Sequence, residues 1–174
     1  MNKNVNWIYK VFLLTFILSI IFSGISSIIS NSFNEIVLFI ILIIVITLGI
    51  IFDMIGVAVL TSEEASLHAR ASQKIAGAKE AINLLKNSTK VSSVCNDVIG
   101  DICGIVSGSL GAVLTISLVE IFDIPNLLTT IIITAVISSL TVGCKAIGKN
   151  IASKNSDNIV FTVGKIIHFF SFKK

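Results

Sequence analysis

The chain is poor in proline, in charge and in histidine, and each shortage excludes something. One proline in 174 residues, Pro125, leaves long stretches free to run as uninterrupted helix. A membrane β-barrel would instead show alternating segments of about 10 residues separated by turns. Charged residues make up 13% of the chain and hydrophobic ones 54%, with a mean hydropathy of +0.97. A soluble domain carries about 25% charged residues, so the composition describes a multi-span membrane protein and excludes a soluble nucleotide or nucleic-acid module. Both histidines, His68 and His168, lie outside the long apolar runs. The three cysteines, Cys95, Cys103 and Cys144, form no CxxC or His-paired spacing. They read as small buried hydrophobes, and a zinc site does not fit.

Four runs are long enough to span a bilayer, which takes about 20 apolar residues. The first covers 11–29, behind Lys3, Lys10 and the interfacial pair Trp7 and Tyr9. A cleaved signal peptide is the competing reading, because small residues follow the apolar stretch. The second covers 36–60 and contains Asp53. The third covers 91–118 and the fourth 127–147, separated by a turn ending at Pro125. Between spans two and three, residues 62–87 predict one amphipathic juxtamembrane helix. Leu67, Ala71, Ile75, Ala78, Ile82 and Leu85 recur on one face. Thr61 and Glu64 fit a capping box at its start. The tail, 148–174, reads as an interfacial helix with Phe169, Phe170 and Phe172 toward the acyl boundary. The expected fold is therefore all-α: four transmembrane helices, a juxtamembrane helix and an interfacial tail, with 1–35 as a segment added to a domain at 36–174.

The thirteen basic residues fall before span one, between spans two and three, or from Lys145 onward. By the positive-inside rule both termini and the 62–87 helix are expected in the cytoplasm. Acids within the spans are more informative, since ionisable groups at membrane depth are costly and mark function. Asp97 and Asp101 are spaced to share one face of an α-helix, with Asn96 beside them. Asp97 follows Lys90 by seven residues and Asp53 precedes Thr61 by eight, so both lie about 10–12 Å deep on the same side. Gly100, Gly104, Gly108 and Gly111 form a strip that lets a neighbouring helix approach. Carboxylate and amide oxygens suit hard cations such as Mg²⁺ or Ca²⁺. The competing reading is that the acids are neutral, hydrogen-bonded packing residues.

Three stretches carry a family resemblance: GIIFDMIGVAV at 49–59, GAKEAINLLKN at 77–87, and CKAIGKNIA at 144–152 with Asn155. In this order they resemble the transmembrane domain of the CorB/CorC and cyclin M (CNNM) family of magnesium and cobalt transport proteins, which includes hemolysin-C-like proteins. The resemblance implies a membrane domain that binds a dehydrated Mg²⁺, assembles as a homodimer and sits in the cell membrane. It places Asp53 at the family's serine ligand, and Asn96 with Asp97, or Gly100 with Asp101, at its "GN" position. Lys145 stands where the family has a ligand glutamate, and Gly148 where it has a proline. The regulatory CBS domains that follow in the family are not within this sequence. The expectation is an integral membrane protein that binds and moves a divalent cation through Asp53, Asn96, Asp97 and Asp101. The alternative is a structural or accessory protein of the same fold, with Lys145 in an internal ion pair. No enzyme activity is expected, since no nucleophile–base pair lies in the spans.

Overall fold

A computed structural model describes residues 2–32, 34–122 and 126–171, and among these every regular element is helical. In order they are α1 (Asn2–Ser32), α2 (Glu35–Thr61), α3 (Glu64–Ser72), α4 (Ala78–Lys86), α5 (Ser88–Ser93), a π-helical segment (Val94–Gly100), α6 (Asp101–Phe122), α7 (Asn126–Lys154) and α8 (Ser156–Ser171). Four of the described stretches are long and apolar enough to cross a membrane: Ile8–Ile25, Glu35–Thr61, Ser88–Val119 and Thr130–Lys154. The chain is thus a multi-pass, all-α membrane protein. Pro125, Phe172, Lys173 and Lys174 lie outside the described residues, as do the side chains of Lys3 and Trp7.

Three local expectations need correction. The juxtamembrane segment is two helices rather than one. Between them Lys74 and Gly77 both take positive φ, 56° and 89°, and an α-helix cannot continue through left-handed residues. The capping box does not form, because Thr61 is still helical and its hydroxyl donates to the Val57 carbonyl at 3.0 Å. Glu63 caps α3, and its backbone N–H donates to Asp157 Oδ1 at 3.0 Å, so the acceptor comes from α8. The tail does not begin at Gly148 either. Helix α7 runs through it to Lys154, and α8 follows after Asn155.

The chain divides into two compact units. The first, Met1–Gly49 with Val98–Gly143, has an aliphatic core. The π-helical segment contributes Val98, and α6 contributes Ile102, Val106, Leu110 and Leu114, one residue every four along its length. Leu38 and Leu42 of α2 pack against them, with Val11 and Leu18 of α1 and Ile137 of α7 at the margin. The glycine strip is only partly used here. A Cβ at Gly111 would lie 3.1 Å from Ile137 Cδ1, whereas at Gly104 and Gly108 it would meet nothing within 4 Å.

The second unit, Ile50–Asp97 with Cys144–Lys174, is packed by small residues. Its core includes Ala58, Ala78, Ala81 and Ala152 together with Val59, Leu67, Leu85, Val160 and Phe161. Helices α4 and α8 cross with their backbones nearly in contact. A Cβ at Gly164 would lie 2.9 Å from both Cβ and N of Ala81, and one at Gly77 would lie 2.6 Å from the Lys165 backbone nitrogen. Polar links lock this crossing. His168 Nδ1 and Glu80 Oε1 are 2.7 Å apart, and Arg70 and Lys165 each stand 4.6 Å from the Phe161 ring. The hydrogen bond to His168 holds the Glu80 carboxyl below its ordinary value.

Candidate functional site: a charged pair within the spans

Asp53 lies on α2 within the second unit and is 3% exposed. Its Oδ2 is 3.2 Å from Nζ of Lys145, on α7, whose side chain keeps 22% of its surface exposed. A lone carboxylate buried among apolar side chains would be strongly disfavoured, and the ammonium neutralises it. The pair can form because α7 comes close to α2 at Gly148, one turn beyond Lys145. A Cβ there would lie 2.9 Å from Ile50 Cγ2 and 3.1 Å from Met54 Cγ, the residues that flank Asp53 on its helix.

A second close approach lies one turn beyond Asp53. Gly56 is buried against the Asn96 amide, and a Cβ at that position would lie 2.7 Å from Asn96 Cγ. Asn96 sits in the π-helical segment, where the backbone carries an extra residue per turn; such segments recur at functional sites. Its Nδ2 donates to Ser92 Oγ at 3.2 Å. Its Oδ1 is buried with no hydrogen-bond donor. Buried amide oxygens nearly always have a partner, so this one calls for an explanation.

The other two expected residues are placed differently. Asp97 follows Asn96 in the π-helical segment and is exposed. Asp101 opens α6, belongs to the first unit and is also exposed. Among the described residues, no group of three or more His, Cys, Asp or Glu side chains could hold a metal ion. The structure therefore joins Asp53 to Lys145 and brings Asn96 onto Gly56 of the same helix. Sequence reasoning named Asp53, Asn96 and Lys145 but missed the parts played by Gly56, Gly148 and Ser92. A faint signal existed: each charged residue of the pair is followed three positions later by glycine.

Four helices long and apolar enough to span a membrane, a polar juxtamembrane layer and a charged pair between two of those helices define an integral membrane domain. Residues 39–172 match the family model described as the cyclin M transmembrane N-terminal domain, CNNM, and the chain belongs to that family. No curated protein and no solved structure matches it.

Proposed function

We propose that the protein binds a hard cation, Mg²⁺ or a similar divalent ion, at an oxygen site centred on Asp53 and Asn96. Asp97, beside Asn96 in the same unit, acts as a further carboxylate, and the ion is carried across the cell membrane as substrate. The observation that carries this reading is the donorless, buried Asn96 Oδ1 in a π-helical segment. Leaving such an oxygen unpaired costs about 1–3 kcal/mol, and a cation removes that cost. Carboxylate and amide oxygens are the ligands that hard cations prefer. Membership of the cyclin M family, with its relation to magnesium transport, supports the same reading. Both termini and α3 to α5 lie in the cytoplasm, as the distribution of the lysines favours, and the protein works as a homodimer, as the family resemblance implies.

The test is thermal unfolding of the purified protein in detergent across a MgCl₂ titration. A ligand that binds only the folded state raises stability by about 2.7 kcal/mol at a hundredfold excess over its dissociation constant. Mg²⁺-dependent stabilisation is expected in the wild type and should disappear in Asp53→Asn and Asn96→Ala. Equal responses in all three proteins would sink the proposal.

A second reading is favoured by the Asp53–Lys145 pair itself. In it the pair is purely structural, and the protein is a non-transporting accessory member of the fold. Absence of any Mg²⁺ response in the wild type and in every variant would select this reading.

A further inference from the structure

The cation-binding reading leaves unused the Lys145 ammonium that lies against Asp53. We infer that Lys145 is a tethered cation that competes with the metal ion for Asp53, so that ion entry and departure of the ammonium are one exchange. This rests on the cation-binding reading above and adds the regulation of the same site.

Geometry and charge carry the argument. The ammonium lies 3.2 Å from the only described carboxylate that is buried, the position a cation ligand would need. An ion cannot gain that oxygen while the ammonium holds it. The two partners are unequally enclosed: the Asp53 side chain is 5% exposed and the Lys145 side chain 22%. The carboxylate is thus fixed, and the lysine has open surface along which to withdraw. Its neighbour on α7, Ala146, is exposed. A lysine suits this task better than an arginine. Its ammonium is a point charge on a flexible stem, whereas a guanidinium fork is held by parallel hydrogen bonds.

Charge balance then brings in a further residue. Asp53 with Lys145 is neutral, and replacing the ammonium by a divalent ion leaves one positive charge over. Asp97, in the same unit and next to Asn96, carries the carboxylate that restores neutrality.

The experiment uses the full chain in detergent with MgCl₂ as the probe, comparing wild type, Lys145→Met, Lys145→Arg and the double variant Lys145→Met/Asp53→Asn. Removing the competitor should tighten apparent Mg²⁺ affinity at least tenfold in Lys145→Met. Lys145→Arg should bind no more tightly than wild type, and the double variant should not respond. Equal affinity in wild type and Lys145→Met overturns the tether while leaving the cation site standing. Absence of Mg²⁺ binding in every protein overturns both. A measurement on the wild type covers the case in which Lys145→Met does not fold. Acylation of Lys145 by a membrane-permeant amine reagent, read by peptide mass spectrometry, should rise severalfold with MgCl₂, and unchanged labelling overturns the tether.

Discussion

The two units of this protein solve helix packing in opposite ways. The first stacks Ile102, Val106, Leu110 and Leu114 of α6, continued by Val98 of the π-helical segment, and covers them with leucines of α2. The second brings backbones together through Ala58, Ala78, Ala81, Gly77 and Gly164, and adds polar links at its edges. Large aliphatic side chains hold helices apart and tolerate exchange among themselves, because volume and polarity are what their packing demands. Small residues demand a particular spacing, and small–small contacts let polar atoms from different helices meet. The charged pair and the orphaned amide oxygen both lie in the second unit, where Gly148 and Gly56 provide the close approach. These buried polar groups sit where helix backbones approach closely.

The largest test of that contrast is Lys145→Ala measured without added metal. Removing one partner of a buried ion pair costs about 3–5 kcal/mol, since the other charge is left uncompensated. Thermal unfolding should show the loss, and wild-type stability in this variant would mean that Asp53 has another partner. Next comes a matched pair of glycine substitutions. Gly164→Ala places a Cβ 2.9 Å from Ala81 and should destabilise by about 1–3 kcal/mol through overpacking. Gly104→Ala in the first unit meets nothing within 4 Å and should gain up to about 1 kcal/mol from helix propensity. Equal effects at the two positions would erase the distinction between the units.

Smaller effects concern the polar edges of the second unit. Asp157 accepts from Ser62 Oγ at 2.7 Å and from the Glu63 N–H at the start of α3. Burial alone would raise its carboxyl, but the hydrogen bonds from Ser62, Glu63 and Ser66, with Arg70 nearby, hold it below the ordinary 3.8. Asp157→Ala should cost about 0.5–2 kcal/mol, the usual worth of an N-terminal cap. Because the folded value is depressed, this contribution is present above pH 3.8 and is lost as the pH falls through the lowered value. The smallest effect belongs to Glu80, lowered by its bond to His168. Its contribution is present above pH 4.5 and fades below it by the same sign. The difference in stability between wild type and His168→Ala should be small, present above about pH 4.5 and vanishing on the acid limb of a stability profile.

Much of the fold was legible because lipid imposes a coarse requirement. About twenty apolar residues in a row are enough to announce a span, and the four expected spans overlap the four observed helices. Their ends were less legible. Gly148 looked like a terminus, yet α7 continues through it, because a glycine packed against Ile50 and Met54 serves closeness rather than a stop. Gly77 looked like part of a helical repeat and instead breaks it, because it takes a positive φ where its backbone lies against Lys165 of α8. At the site, Asp53 and Asn96 stood out as polar residues in apolar runs, and Lys145 as a cation where the family has an acid. Which way Lys145 turned was not written in its neighbours.

Sequence alone determined the class of the protein, its helical spans, the side of the membrane its basic residues favour, and the few polar groups within those spans. Those properties follow from transfer free energies and local periodicity, which act on each segment separately. Tertiary structure decided that Asp53 meets an ammonium, that Asn96 keeps an oxygen without a donor, and that Asp97 and Asp101 face outward. Those outcomes depend on how closely two backbones approach at Gly56 and Gly148, a distance that no single helix contains.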